Sequence, residues 1–119
     1  MEPEKFKIVQ LPPPKSISLG DLGGLWKGIE MQKKIINMVL EERKRQDTKW
    51  GEQNHTAPVW GMIIGEEYGE MCKAINEFGF NPTPDTEEQI YTEAIHTMAS
   101  CMAMLECIER NRSKNYGNC

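Results

Sequence analysis

The sequence predicts an all-α protein: an antiparallel bundle of three long helices per chain, completed by association of identical chains. Three observations carry this expectation. Apolar residues recur at three- and four-residue spacing through most of the chain. No segment alternates with the period of two that marks a half-buried strand, and Pro and Gly gather at a few places that divide the helical stretches. A length of 119 residues corresponds to about one domain.

Taken in order, Met1 to Leu25 reads as an extended arm. Pro12-Pro13-Pro14 fixes the backbone and removes three N–H donors, and Gly20, Gly23 and Gly24 follow without a helical period. The first helix is expected from Ile29 to about Arg45, where Met31, Ile35, Met38 and Val39 recur with Lys and Glu between them. A polar segment from Gln46 to Thr56, containing Trp50, Gly51 and His55, interrupts the pattern. Pro58 suits the first turn of a second helix, where a missing N–H costs little. That helix should run to about Glu77 along Trp60, Ile63, Ile64, Met71, Ala74 and Ile75, with Phe78 continuing the line. Gly79 then serves as the stop.

Phe80 to Thr86 reads as a loop with Pro82 and Pro84, and Asp85 with Glu88 has the spacing of a capping box. The third helix should reach about Arg110 through Ile90, Ala94, Thr97, Cys101, Met104, Leu105 and Ile108. A second apolar line, Ile95, Met98 and Met102, runs along its other side. The expected organisation is thus an arm over 1–25, a helical domain over 26–112 and a tail over 113–119. A helix apolar on two sides must be covered on both, and two sibling helices in so small a domain leave surface to spare. This points to a homodimer or homotetramer. Gly61, Gly65 and Gly69 recur every four residues, a spacing that suits close approach by another helix across that dimer.

Charge narrows the function classes. Eighteen acids against fourteen Lys and Arg leave a net charge of −4, which argues against general binding to a nucleic-acid polymer. No apolar run approaches the roughly 20 residues that a membrane span needs, so no membrane partner is expected. Met1-Glu2-Pro3-Glu4-Lys5 has no signal-peptide anatomy. Cys72, Cys101, Cys107 and Cys119 form no CxxC pair, which fits reduced thiols, small core residues in the helices, and a cytoplasmic location.

The informative stretch is Gly65-Glu66-Glu67-Tyr68-Gly69-Glu70. At about 100° per residue, Glu66, Glu67 and Glu70 fall within roughly a third of the helix circumference. Glu67 lies near the centre of the apolar stripe, where an unpaired carboxylate is costly. Glu93 flanks the stripe of the third helix, with His96 and Ser100 further round the same flank. Two facing helices would present Glu66, Glu67, Glu70 and Glu93 to one space, and oxygen ligands in this number suit Mg²⁺ or, in its place, Mn²⁺. The same spacing also describes a solvated face on which Glu67 pairs with a lysine.

Glu66-Glu67-x-x-Glu70 followed by Glu93-x-x-His96 resembles the EExxE…ExxD signature of the MazG-like, all-α nucleotide pyrophosphohydrolases. The run Glu41-Glu42-Arg43-x-Arg45-Gln46-Asp47-x-Lys49-Trp50-Gly51-x-Gln53-x-His55 is similar to the opening of small MazG-like proteins, many of them phage-encoded. Leu105-Glu106-Cys107-Ile108-Glu109-Arg110 is similar to the close of their last helix. The resemblance spans roughly Ile29 to Arg110. It implies hydrolysis of a nucleoside triphosphate, a deoxynucleotide for preference, to the monophosphate and pyrophosphate in the cytoplasm, the host's if the chain is phage-encoded. Glu67, Glu70 and Glu93 match the family's Mg²⁺ ligands, and Glu66 matches the acid that binds a second metal or orients the attacking water. His96 stands where the motif has Asp: imidazole also binds divalent ions, but it removes a negative charge and favours softer metals than Mg²⁺.

Other residues carry two readings each. Trp50 and Trp60 suit stacking on a base or core packing, with the stripe position assigning Trp60 to the core. Gln53, Asn54 and His55 suit a base edge or loop capping, and the resemblance favours His55 for the base pocket. Lys73 suits a phosphate or an ion pair with Glu70, and Arg45 and Lys49 suit phosphate or solvent. Two competing functions follow. One is a catalytically silent MazG-fold module that binds nucleotide or a protein partner. The other is half of a di-iron site built on Glu93-x-x-His96, for which the chain has one such pair where bundles use two.

Overall fold

A computed structural model of the chain describes residues 19–112 and Lys114. The proline-rich stretch of the expected arm and most of the expected tail lie outside them. The described residues form three α-helices and no strand: α1 (Leu19–Trp50), α2 (Ala57–Phe80) and α3 (Pro84–Arg110). None of these helices is long and apolar enough to cross a membrane.

Helix α1 begins ten residues before the expected Ile29, inside the segment read as an extended arm. Gly23, Gly24 and Gly28 each cost about 1 kcal/mol in a helix, but extension from an existing helix needs no new nucleus, so three glycines weaken the segment without breaking it. The chain divides into two compact units between Met31 and Gln32. In the first unit Leu25, Trp26 and Met31 are exposed. At its other end α1 continues through the polar run to Trp50. Charged residues at helical spacing carry the helix where apolar periodicity fades. It stops at Gly51, whose φ of +72° is a left-handed conformation natural to glycine, and whose N–H donates to the Asp47 carbonyl at 2.9 Å.

Helix α2 has Thr56 as its N-cap; Pro58 lies in the first turn, as the sequence predicts. It passes through Gly79 and ends one residue later, with the Asn81 N–H bonded to the Glu77 carbonyl. Helix α3 starts from a different capping box than Asp85 and Glu88. The Thr83 N–H donates to Thr86 Oγ1 at 2.9 Å, and the Thr86 N–H donates to Thr83 Oγ1 at 3.1 Å. A Thr side chain is short enough to close this reciprocal pair, and Pro84 then occupies the first turn.

Within the second unit, α2 and α3 pack along one another. Trp60, 2% exposed, clusters with Ala103 and Cys107, with Ile63 and Met104 against them. Val39 of α1 joins Ile95 and Ala99 of α3, with Met38 and Met102 alongside. Ala99 is fully buried, so its small side chain sets the approach of the neighbouring helix. The second apolar line of α3 is therefore covered in part: Ile95 is buried and Met98 is exposed. Ile36, Leu40, Met62, Ile75, Phe80 and Leu105 are also at least 47% exposed, far more apolar surface than a closed core leaves. A Cβ at Gly61, Gly65 or Gly69 would meet nothing within 4 Å among the described residues.

Polar groups tie α1 to α3. Arg43, 8% exposed, donates from Nε to Glu106 Oε2 at 2.6 Å and from Nη2 to Glu106 Oε1 at 3.1 Å. Its Nη1 also donates to Gln46 Oε1 at 3.0 Å, and Asp47 lies 3.0 Å from Nη2. Cys72 and Cys101 are free thiols, as expected, but Cys107 is disulfide-bonded, against the expectation of reduced cysteines throughout. That expectation rested on the absence of a close-spaced pair, whereas disulfide pairing is decided by Cα separation in the fold.

Candidate functional site

Glu67 from α2 and Glu93 and His96 from α3 each offer one ligand atom, and all three atoms lie within 4.8 Å of one another. Glu93 and His96 share a helix face because three residues turn the helix by about 300°. The Thr97 hydroxyl fixes where α2 meets them. Its Oγ1 lies 2.8 Å from the Glu93 carbonyl and 3.2 Å from the Glu67 carbonyl, so one donor serves both helices.

The three side chains do not satisfy one another. His96 Nδ1 stands 3.6 Å from Glu93 Oε2 and 3.9 Å from Glu67 Oε2, beyond hydrogen-bond length. Both of those carboxylate oxygens are shut off from solvent and accept no hydrogen bond. Two orphaned carboxylate oxygens facing a ring nitrogen are costly as they stand, and they form a donor set that a divalent cation satisfies. Burial pushes the Glu67 carboxyl above the ordinary glutamate range; His96 opposes this, while Glu70, Glu93 and Glu66 reinforce it.

Helix α1 adds a third side. Arg45 grips the Glu42 carboxylate at both oxygens, Nε to Oε2 at 2.8 Å and Nη2 to Oε1 at 2.6 Å. This hydrogen bonding holds Glu42 below the ordinary range even though burial works the other way. Glu42 Oε1 is 3.6 Å from His96 Nε2, on the side of the ring away from Glu67 and Glu93.

Glu67 and His96 of this group line a cleft of about 630 Å³, and Glu93 lies behind them, off its lining. Its lining also includes Glu42 and Glu70, and Lys49, Trp50, Gln53, His55 and Trp60. Trp50 is 61% exposed, with the Lys49 ammonium 4.7 Å from its ring centroid. Trp60 is a core residue whose edge reaches the cleft, and the His55 ring meets it edge-on at 4.9 Å. His55 Nε2 pairs with Gln53 Oε1 at 3.1 Å. Arg45, Gln46 and the buried Ser100 also line it.

Two expected site residues sit apart from this group. Glu66 is exposed and lines neither the cleft nor the three-atom cluster. Lys73 lines a separate groove of about 620 Å³ with Asn76, Phe80 and Thr86. Six residues after Glu67 is about 600° of helix, which turns Lys73 to the opposite flank. Asn54, by contrast, accepts from Asn111 Nδ2 at 3.1 Å and acts as a loop anchor.

Glu42 is the site residue that reasoning from the sequence did not single out. The signal was there: Val39 is followed at i+3, i+4 and i+7 by Glu42, Arg43 and Gln46, polar residues continuing a buried line. Polar groups in such positions are partnered, and here the partners are on α1 and α3. No family model, curated protein or solved structure matches this chain.

Proposed function

We propose that the chain is a metal-dependent nucleotide pyrophosphohydrolase of the MazG-like kind, converting a (deoxy)nucleoside triphosphate to the monophosphate and pyrophosphate. One observation carries this reading: the two orphaned oxygens of Glu67 and Glu93 face His96, and Glu67 and His96 line a cleft that also takes in the Lys49 cation and the exposed Trp50 ring. Glu67, Glu93 and His96 would hold Mg²⁺ or Mn²⁺, with Glu70 beside them. A divalent ion there supplies neutralisation of phosphate charge and a bound water of lowered pKa. Glu70, an exposed carboxylate on the cleft wall, is suited to take the proton of the attacking water as its oxygen bonds the α-phosphorus and the pyrophosphate leaves. Glu66 has the role of supporting acid. Lys49 meets the phosphate chain, Trp50 stacks on the base, and Gln53 and His55 read its edge.

The proposed architecture is an antiparallel bundle completed by a second copy or by three more. The contact order supports the first part, since Trp60 meets Ala103 and Cys107 whereas Glu67 meets Thr97. The exposed apolar side chains and the open Gly61, Gly65 and Gly69 face support the second. The substrate is a free nucleotide rather than a nucleic-acid polymer, and the setting is the cytoplasm, in keeping with the free Cys72 and Cys101 thiols and with the Cys107 disulfide as the exception.

The test is a pyrophosphate-release screen over the common NTPs and dNTPs with Mg²⁺ and with Mn²⁺. Release from at least one triphosphate, lost in Glu67→Gln and in Glu70→Gln, is the expected result. Full activity in both variants would overturn the reading. The second reading is a silent nucleotide-binding module, favoured by His96 in place of the family's Asp. Nucleotide binding by calorimetry without turnover, under any metal, would select it.

A further inference from the structure

Given the metal centre proposed above, we infer that His96 is a ligand through Nδ1, that Glu42 is the positioning residue for its ring, and that together they make the centre prefer a transition ion such as Mn²⁺ over Mg²⁺. The imidazole lies between carboxylates on both of its nitrogen edges. Nδ1 faces the two oxygens that accept no hydrogen bond, at 3.6 and 3.9 Å, and Nε2 faces Glu42 Oε1 at 3.6 Å. A neutral imidazole carries one N–H and one lone pair. With a divalent ion on the Nδ1 lone pair, the one ring proton would sit on Nε2, the edge that the Glu42 carboxylate flanks.

Glu42 is well placed for such a role. Its side chain is 10% exposed, and Arg45 fixes both of its oxygens, so the carboxylate is anchored on α1 independently of the two helices that carry the three ligand atoms. This is the arrangement by which outer carboxylates orient metal-bound histidines, fixing the tautomer and raising ligand basicity. The donor set then differs in kind from an all-carboxylate one. Mg²⁺ is a hard ion that selects oxygen, whereas imidazole nitrogen strengthens binding of first-row transition ions. His96 therefore acts as a specificity determinant for the metal, with Glu42 acting through it.

The experiment uses the full chain without nucleotide, so that it does not depend on turnover. Mn²⁺ and Mg²⁺ affinities are measured by calorimetry, and the Mn²⁺-loaded protein is examined by pulsed electron paramagnetic resonance for ¹⁴N coupling. The expected results are a nitrogen coupling in the unsubstituted protein and its loss in His96→Asp, with the Mn²⁺-over-Mg²⁺ preference falling about tenfold or more. Glu42→Gln, checked for unchanged helix content, should weaken Mn²⁺ binding by about 10- to 100-fold. Absence of nitrogen coupling in the unsubstituted protein, or an unchanged metal preference in His96→Asp, would overturn the ligand role. Unaltered Mn²⁺ affinity in Glu42→Gln would overturn the positioning role. Failure to bind any divalent ion would instead remove the metal centre itself, a separate result.

Discussion

Replacing Glu67 by Gln should make the metal-free protein more stable and the metal-loaded protein less so. Glu67 is 27% exposed at its side chain, yet one of its carboxylate oxygens is buried and accepts no hydrogen bond, beside Glu93 in the same condition. An unsatisfied buried polar group costs about 1–3 kcal/mol, and the partial exposure argues for the lower end. The amide removes the charge and brings N–H donors toward Glu93. A gain of about 1 kcal/mol, or roughly 4 °C in Tm for a domain of this size, is expected in chelator. With Mn²⁺ at about 100 times its Kd the unsubstituted protein gains about 2.7 kcal/mol by mass action, and the variant should gain little. The assay is thermal melting by far-ultraviolet circular dichroism, in chelator and in Mn²⁺. The pH dependence has a fixed sign: because the folded-state pKa of Glu67 is raised, its penalty is present above that pKa and is relieved as pH falls through it. A variant that is less stable in chelator, or that shows the same metal-induced gain as the parent, would refute the reasoning.

Three further outcomes follow from the same structure. Lys49→Ala should weaken triphosphate binding about tenfold by calorimetry, whereas Lys73→Ala, in its separate groove, should leave it within twofold. The Arg43 hydrogen bonds hold the Glu106 carboxyl below the ordinary glutamate range, so its contribution is present at neutral pH and lost as acid titrates it below about pH 4.3; since Glu106 is 43% exposed, Glu106→Gln should cost about 1 kcal/mol in urea unfolding at pH 7 and less at pH 3.5. Thr83→Ala removes one arm of the α3 capping box and should cost about 1 kcal/mol in the same assay.

Much of this molecule is legible along the chain, and the places where it is not share a cause. Trp60, Ala74, Ile95, Ala103 and Cys107 are buried, consistent with helical periodicity placing them on or beside stripes. Helix ends were less readable, because the sequence signals compete. Gly79 can stop a helix or ride through one, and Thr83 was a stronger start than Asp85 because Thr86 could answer it. On the acid helix, periodicity grouped Glu66, Glu67 and Glu70 on one arc, but only the packing of α2 on α3 selects Glu67 to face Glu93 and His96. Met31 and Ile35 lie on the predicted stripe of α1 and are exposed, since a stripe specifies a face and not its partner.

By itself, the sequence determined that the described chain is helical, where the two breaks between its helices fall to within about five residues, and that one glutamate sits in an apolar line; it misplaced the start of α1 by ten. These are local properties, set by the 3.6-residue period and the backbone preferences of Pro, Gly and Thr. The tertiary structure alone decided that Glu67, Glu93 and His96 share one small space, that Glu42 stands behind the histidine with Arg45 holding it, and that Lys73 points elsewhere. Those relations join residues up to 54 positions apart, from Glu42 to His96. Helical rotation and the approach of separate helices fix them, and no spacing along a single chain encodes that approach.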